Sequence, residues 1–380
     1  MSQRRILFVN HASCLSGAEL VLLDVAAAFQ GASAFLFEDG PLRPALQKRG
    51  VTTVLPPGGA SFAAIKRDGS LLRALPHVGR LARMGMRLAA AARQHDVVYA
   101  NSQKAFALAA PACAVARRPL VWHLHDILSP DHFGRAQRAL TIAWANRWAA
   151  RVIAPSRAVA DAFTTAGGRA GLLHIVPNGL DDQTGDRPVP LRDSLGLQSP
   201  FVFGVFSRLA PWKGQDVALR ALALLPEAGC IIAGDALFGE DDYKNSLLAL
   251  ADTLGVSDRV RFLGQRSDVP ALMRTVDAVV HPSTEPEPFG RTLVEAMLAR
   301  RPVIAAQAGA VPEILDEGRA GLLFPPGDSA ALAAALRRVQ AGTGTALLDV
   351  AEMRARTLYN AGRMQDSIRT IIAGIGAGTP

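Results

Sequence analysis

The chain has 380 residues, of which 49% are apolar and 19% charged, and this fits a folded protein of about two domains. No apolar run approaches the roughly 18 residues of a membrane-spanning helix, and three widely spaced cysteines exclude a disulfide framework or a zinc pattern, so we expect a cytoplasmic protein. The net charge of +8 is concentrated in residues 1–180, with 21 basic and 9 acidic side chains against 20 and 24 in the remainder, which indicates an anionic partner for the first half or an arginine-rich source.

The first half is predicted to alternate strands with helices. Arg5–Asn10 is an apolar strand, and Ser16 followed by Glu19 forms the capping box of a helix. The loop between them lacks the G-x-G-x-x-G pattern of nicotinamide-binding domains, which argues against a dehydrogenase. Further strands are predicted at 34–37, 51–55, 96–100, 120–126, 151–156 and 173–176. Such alternation predicts a parallel sheet with helices on both faces, and ligands gather at the carboxyl ends of its strands.

Polar side chains stand at these predicted strand ends: Asn101, His125, Asp126, Ser156 and Asn178. His123 and His125 lie two residues apart on one strand and therefore share a face. With Asp126 they leave a metal site open as an alternative, although no further ligand cluster has suitable spacing. For His123 the other interpretation is a hydrogen-bonded core histidine.

A basic helix is predicted within Arg73–Arg93. Arg73, His77, Arg80 and Arg87 recur at helical spacing on one face. The apolar residues proposed for a core stripe on its other faces are Leu75, Val78, Ala82, Met86 and Ala89. A basic amphipathic helix can lie on an anionic bilayer. A solvated helix face is the alternative.

The second half repeats the alternation after a loop at 182–199. Its strands are predicted at 201–206, 230–235, 259–263, 278–281, 303–306 and 321–324, with helices at 329–340 and 359–375. Arg208 and Lys213 follow the first of these strands. Two cations at a strand end suit a diphosphate, whose charge must be neutralised as it leaves.

The segment Glu285–Glu295 lies between a buried strand and a helix that should begin near Gly290. The free amides of the first helical turn form an anion site. Glu287 lies on the loop and Glu295 one to two turns inside the helix, so they cannot form a compact acid pair. They could instead hold two hydroxyl-bearing parts of a ligand whose phosphates lie between them.

These motifs resemble the retaining glycosyltransferases of family 4, of the kind that builds bacterial surface polysaccharides. The resemblance rests on an E-x7-E motif (Glu287 and Glu295 within EPFGRTLVEAMLARRPVIA), on S-R-L-x-x-x-K-G at 207–214 and on P-N-G-L-D at 177–181. It covers nearly the whole chain. One departure is Ala310, which stands where the family's G-G-x-P-E turn has its second glycine. The fold implied is α/β of the GT-B type, with two Rossmann-like parallel-sheet domains that face each other across a cleft.

The resemblance also implies domain bounds and roles. Residues 1–180 would bind the acceptor, 181–360 the nucleotide sugar, and a helix in 361–380 would return to the first domain. Sugar transfer from a nucleoside-diphosphate sugar would retain the anomeric configuration and need neither a metal nor another cofactor. Glu287 would hold the sugar hydroxyls, Glu295 the ribose, and His125 would position the sugar. The catalytic residues implied are His125, Glu287, Arg208 and Lys213. The residues implied to bind the nucleotide-sugar donor are Gly17, Arg208, Lys213, Phe289, Gly290, Arg291, Thr292 and Glu295.

The acceptor is expected to be a glycan, either lipid-linked or a lipopolysaccharide intermediate, at the inner face of the cytoplasmic membrane. A soluble small-molecule acceptor and a nucleotide-sugar epimerase of the same fold remain alternatives. Nucleic acid is not expected, because aromatic residues do not interleave with the basic ones. A non-catalytic binding protein is disfavoured, because the charged residues implied at the site are all present.

Overall fold

The computed structural model describes residues 4–56, 78–130, 133–181, 195–237 and 239–376. The chain divides into two compact units. The first unit comprises Met1–Gly179 with Ala361–Pro380, and the second comprises Leu180–Asn360. Within the described ranges, every helix is too short or too polar to cross a membrane.

The first unit contains a seven-stranded sheet in which every pairing is parallel. Its strands are β1 (Ile6–Asn10), β2 (Ser33–Leu36), β3 (Thr52–Val54), β4 (Val97–Ala100), β5 (Leu120–His123), β6 (Ala149–Ala154) and β7 (Leu173–Ile175), in the order β3-β2-β1-β4-β5-β6-β7. Leu7 of β1 lies opposite Ser33 on one side and Val98 on the other. The strand order therefore reverses between β1 and β4, the place where doubly wound sheets bind ligands.

Helices cover both faces of this sheet. They are α1 (Gly17–Ala26), α2 (Leu42–Gln47), α3 (Val78–Ala92), α4 (Gln103–Ala116), α5 (Arg135–Trp148), α6 (Arg157–Thr165) and the last helix of the chain, α14 (Ala361–Ala373). Helix α14 packs on α1, where Met364, Ile368 and Ile372 share a buried cluster with Leu22 and Val25. The chain thus returns to its first unit through apolar residues at i, i+4 and i+8 of one helix face.

The second unit contains a six-stranded parallel sheet. Its strands are β8 (Phe201–Phe206), β9 (Ala228–Ala233), β10 (Val260–Gly264), β11 (Ala278–His281), β12 (Val303–Ala306) and β13 (Leu322–Phe324), in the order β10-β9-β8-β11-β12-β13. Its helices are α7 (Gln215–Ala223), α8 (Asp241–Thr253), α9 (Val269–Thr275), α10 (Arg291–Leu298), α11 (Val311–Ile314), α12 (Ser329–Gln340) and α13 (Leu348–Leu358). The order reverses between β8 and β11, and the prediction of two Rossmann-like parallel-sheet domains is confirmed.

Strand β5 is shorter than predicted. It ends at His123, so His125 and Asp126 lie in the loop that follows rather than on the strand. Leu124 N still donates to Ile153 O at 2.9 Å, after which the chain leaves the sheet. The two histidines nevertheless remain close, with ring centroids 4.0 Å apart.

The core stripe predicted for the basic helix is wrong at two described positions. Ala82 and Met86 of α3 are exposed, Met86 to 67%. The helix instead buries Met84, Leu88 and Ala92, because an i, i+4, i+8 row faces the cluster shared with α4. The arginines of α3 that are exposed are Arg80, Arg83 and Arg87. Arg73 and His77 lie outside the described residues.

Candidate functional site

Two loops leave the second sheet at its reversal point, one after β8 and one after β11. The first loop makes a single 3-10 turn at Pro211–Lys213 and enters α7 through Gly214. Gly214 has a φ of +68°, and a Cβ there would lie 2.0 Å from the carbonyl oxygen of Pro282 on the second loop. Only glycine allows this approach of the two backbones. The loops that carry Lys213 and Glu287 are therefore held side by side.

Glu287 is the centre of a buried polar cluster. Lys213 Nζ lies 2.7 Å from Glu287 Oε2, and the two side chains are 11% and 10% exposed. His281 Nε2 and the Ser283 hydroxyl each lie 3.1 Å from the same oxygen. Three donors converge on Oε2 and fix the orientation of the carboxylate.

The charge state of Glu287 follows from two opposed effects. Burial alone would raise the pKa of Glu287, but the Lys213 ammonium and the hydrogen bond from His281 outweigh burial and hold that pKa well below its ordinary value. The carboxylate is therefore ionised at neutral pH. Because the folded pKa is depressed, the resulting stability is present above the unfolded pKa and is lost as the pH falls towards the folded one.

Trp212 lies against both cations of the first loop. Lys213 Nζ is 4.0 Å from the centroid of the indole ring, and Arg208 Cζ is 5.2 Å from it. These are cation–π distances. Arg208 also forms an ion pair with Glu240, which begins helix α8 on the loop from β9. Each of the two cations thus has a carboxylate partner and a shared aromatic face.

The start of helix α10 is tied to the end of β8. Gly290 precedes the helix with a φ of +85°, and the Thr292 hydroxyl donates to the Phe206 carbonyl at 3.0 Å. Arg291 Nε lies 3.8 Å from Glu295 Oε1 one turn later. Helix α10 therefore begins beside the end of β8, the strand that leads to Arg208.

Phe289 has a different environment. Its ring is 4% exposed and packs edge-on against Tyr359, with centroids 5.7 Å apart. Because this ring is buried, a bound ligand would contact Phe289 through its backbone.

The Gly309 turn holds the backbone of Glu287. Ala310 N donates to Glu287 O at 2.8 Å, and residues 287 and 309 form an isolated parallel bridge. Gly309 has a φ of +62°, and a Cβ there would lie 2.3 Å from Glu287 O. Ala310 has a right-handed φ of −80°, which alanine adopts without strain. The departure from the glycine pair leaves the geometry intact.

In the first unit, two of the residues implied at the site, Gly17 and His125, lie in the segments that follow β1 and β5. Gly17 is exposed and begins α1, and His125 Nε2 lies 3.0 Å from Asn101 Oδ1. The predicted capping box is wrong in one respect, because the Ser16 side chain accepts no helix N–H. Its hydroxyl donates instead to the buried Glu19 carboxylate, which points into the unit.

His123 is a core histidine. It is fully buried, its Nδ1 lies 2.7 Å from the Tyr99 hydroxyl, and burial lowers the pKa of His123. In the described part of the chain, no three histidine, cysteine or acidic side chains come together as metal ligands. His132, the other nearby histidine, lies outside it.

Sequence reasoning missed four residues of this site: Trp212, Glu240, His281 and Ser283. A histidine at the end of an otherwise apolar strand, with serine two residues on, was the available signal for two of them. Nothing local marked Glu240, whose partner lies 32 residues earlier.

Two family models match the chain. Residues 16–184 match the model described as "Glycosyltransferase Family 4", and residues 191–363 match "Glycosyl transferases group 1". The two matches follow the division into units closely.

Among curated proteins, the chain is similar to the D-inositol 3-phosphate glycosyltransferases of Mycobacterium sp. strain KMS, at 37% identity over 157 residues, and of Mycobacterium marinum, at 36% over 185. These matches cover 40% and 46% of this chain. The chain spans only 35% and 39% of the length of these relatives.

Among solved structures, it is similar to HepE of Anabaena, crystallised with UDP and glucose. The identity is 38% and the TM-score 0.88, over 98% of this chain and 100% of HepE. HepE has also been crystallised with UDP-glucose and with UDP alone.

Proposed function

The chain belongs to the glycosyltransferases, with a family 4 domain followed by a group 1 domain, and we propose that it transfers a sugar from a nucleoside-diphosphate sugar to an acceptor with retention of configuration. The observation that carries the proposal is the buried Lys213–Glu287 pair at the reversal point of the second sheet, beside Arg208 and the start of α10. The UDP and UDP-glucose complexes of HepE favour a UDP-sugar, with UDP-glucose first.

The proposed donor site separates charge neutralisation from sugar binding. Arg208, Lys213 and the first-turn amides of α10 stabilise the diphosphate as negative charge develops on it. Glu287, oriented through Oε2, holds hydroxyls of the transferred sugar, and Glu295 holds those of the ribose. With three positive groups on the diphosphate, we expect neither a metal nor a cofactor to be required.

The proposed acceptor is a lipid-linked or lipopolysaccharide glycan, with the protein at an anionic membrane surface. Support comes from the exposed arginines of α3 and from the basic first half of the chain. A small-molecule acceptor is the second candidate, favoured by the inositol phosphate enzymes among its relatives. That likeness covers 40% of this chain, too little to fix the acceptor. An epimerase would convert the donor with no acceptor present.

The deciding experiment measures release of nucleoside diphosphate from a panel of UDP-, GDP-, ADP- and dTDP-sugars. Each donor is tested alone, with membrane lipid extract and with inositol phosphate, always with and without EDTA. We expect acceptor-dependent release from UDP-glucose, unchanged by EDTA, and an α-linked product by NMR from the α-linked donor. Release without an acceptor, with conversion of the donor sugar, would establish the epimerase instead.

Two isosteric variants complete this assay. Glu287→Gln should abolish release, because the neutral amide loses the charge that pairs with the Lys213 ammonium 2.7 Å away and presents an NH2 donor in place of one carboxylate oxygen. Glu227→Gln is the matched control. This exposed carboxylate lies just before β9, at the amino ends of the strands of the same sheet rather than at their carboxyl ends. Failure of wild-type protein to release or bind any nucleotide would reject sugar transfer.

Replacing Arg80, Arg83 and Arg87 together by glutamine should weaken sedimentation with phosphatidylglycerol vesicles. Each charge near an anionic surface contributes about 1 kcal/mol, so the loss should be roughly a hundredfold at low salt. The control carries the same three changes at Arg220, Arg337 and Arg338, which are exposed on the second unit. Equal vesicle binding by both triple variants would show that the arginines of α3 are solvent-exposed without a part in membrane binding.

Glu240→Gln should tighten UDP binding. Glu240 forms an ion pair with Arg208, and their side chains are 19% and 24% exposed, respectively. The diphosphate must compete with Glu240 for Arg208. Removing a partly screened pair should lower the Kd roughly twofold to fivefold by isothermal titration calorimetry. Weaker binding would show that Glu240 holds Arg208 in place for the phosphates.

A further inference from the structure

A buried chain of polar side chains runs through the reversal point of the first sheet. We infer that Glu19, Asn10 and Asn101 are positioning residues that hold the ring of His125 with its proton on Nε2. The functional consequence of this inference rests on the proposed sugar transfer, whereas the position of the proton does not.

The chain has four members, which come from α1, from β1 and from the loops after β4 and β5. Glu19 Oε1 lies 3.1 Å from Asn10 Nδ2, Asn10 Oδ1 lies 3.1 Å from Asn101 Nδ2, and Asn101 Oδ1 lies 3.0 Å from His125 Nε2. Glu19 is 2% exposed, and Asn10 and Asn101 are fully buried. Away from water, such groups must satisfy one another.

The direction of the first two bonds follows from backbone carbonyls, which can only accept. Asn10 Nδ2 lies 2.8 Å from Ala12 O as well as near Glu19, so both of its hydrogens are used. Asn101 Nδ2 lies 3.0 Å from Ala18 O as well as near Asn10 Oδ1, and both of its hydrogens are also used. Flipping either amide would set an oxygen against a carbonyl oxygen.

The third bond is then decided. Asn101 has only Oδ1 left to face His125, and a carbonyl oxygen accepts. His125 Nε2 must therefore carry a hydrogen and donate. Hydrogens point one way along the whole chain, from His125 through the two asparagines to Glu19, whose Oε1 accepts the last of them.

A neutral ring held in this way keeps its lone pair on Nδ1. It can accept a hydrogen bond from a sugar hydroxyl, and the ring is steadied by His123, whose centroid lies 4.0 Å away. Asn101 also binds the carbonyl of Ala18, next to Gly17. One asparagine thus connects the start of α1 with the orientation of His125.

The direct test is NMR of the full chain labelled with 15N-histidine. The His125 resonances are assigned by their loss in His125→Gln. We expect the Nε2–H tautomer in wild-type protein without ligand. The Nδ1–H tautomer, or rapid exchange between the two, would overturn the inference.

Asn101→Asp replaces the only donor group of Asn101 by a carboxylate of the same shape. The carboxylate favours the doubly protonated ring, so His125 should titrate at higher pH than in wild-type protein. The turnover number should fall roughly tenfold to a hundredfold, the size of a positioning defect, with the Kd for UDP within about twofold. Glu19→Gln should keep most of the turnover, because its amide oxygen can still accept from Asn10, whereas Glu19→Ala removes that acceptor and should lower the turnover. Both variants should keep the tautomer, because the carbonyls of Ala12 and Ala18 still orient the two asparagines.

Thermal melting and UDP binding establish that each variant is folded. A folded Asn101→Asp protein in which His125 titrates as in wild-type protein and turnover is unchanged, or a folded Glu19→Ala protein with wild-type turnover, would reduce the chain to a structural role. If wild-type protein transfers no sugar yet shows the Nε2–H tautomer, and His125 titrates at higher pH in Asn101→Asp, the sugar-transfer proposal fails and the positioning of His125 stands.

Discussion

Lys213→Met should lower kcat/KM for the nucleotide sugar about a thousandfold, which corresponds to about 4 kcal/mol of lost transition-state stabilisation. The side chain becomes one atom shorter and loses the charge that we propose neutralises the leaving diphosphate. It also leaves Glu287 buried without the ammonium 2.7 Å away. An uncompensated buried charge should destabilise the second unit by about 3–5 kcal/mol, measured as unfolding free energy in urea.

The two losses are separable by pH and by a second substitution. Burial raises the pKa of Glu287 and is its largest single influence. Without Lys213, burial is opposed only by the hydrogen bonds from His281 and Ser283. Because the pKa of Glu287 is higher in Lys213→Met than in wild-type protein, the loss of unfolding free energy should be small in acid and larger as the pH rises. The double variant Lys213→Met with Glu287→Gln has no buried charge to compensate. It should regain most of the unfolding free energy and none of the activity.

Lys213→Arg is the informative control, because it keeps the charge and changes the shape of the donor. We expect intermediate activity, since a planar guanidinium cannot reproduce the point contact of an ammonium with Oε2. Activity of the double variant near that of wild-type protein would remove both residues from the transfer step. Turnover of Lys213→Met above a tenth of the wild-type value would contradict the role of its charge.

The architecture was readable from sequence because each sheet buries both faces. Strand β8 is the unbroken apolar run Phe201–Phe206, and β11 is Ala278–His281, so they stand out without any knowledge of their neighbours. The rule that parallel crossovers are right-handed limits the possible strand orders without selecting one. The carboxyl ends of the strands, where the polar residues lie, were therefore predictable, whereas the reversal points were found only in the structure.

Bounds and faces were less predictable, because tertiary packing decides them. The predicted strand 120–126 loses its last three residues when the chain leaves the sheet after His123. Helix α3 offers apolar residues on more than one face, and its packing beside α4 selects Met84 and Leu88 over Met86. The periodicity of apolar residues does not indicate which of these faces is buried.

The site was predictable only as far as the motifs reach. Glu287 and Lys213 are 74 residues apart, and the sequence named both without indicating that they touch. The partners of Glu287 are His281 and Ser283, within six residues of it, yet they belong to no pattern that the charged residues suggested. Hydrogen-bond partnership depends on a loop geometry that glycines set, and that geometry has no signature in residue type alone.

Gly309→Ala should have a large effect although it leaves every polar group in place. Its Cβ would lie 2.3 Å from Glu287 O and 2.5 Å from Glu287 N, so the Glu287 loop must move. A shift of about 1 Å at a positioned group can lower the rate about a hundredfold. We expect a loss of that size in kcat, because the carboxylate proposed to hold the sugar hydroxyls is displaced.

The matched control is Gly327→Ala. Gly327 has a φ of +78° against +62° for Gly309, but a Cβ there meets nothing within 4 Å. Both variants carry the cost of a left-handed alanine, roughly 1–2 kcal/mol, and only Gly309→Ala displaces the carboxylate. Equal melting temperatures and equal activities for the two would mean that the turn at Gly309 has no part in placing Glu287. A large difference in activity beyond the shared loss of stability would show that backbone contact, rather than charge, fixes the position of the carboxylate.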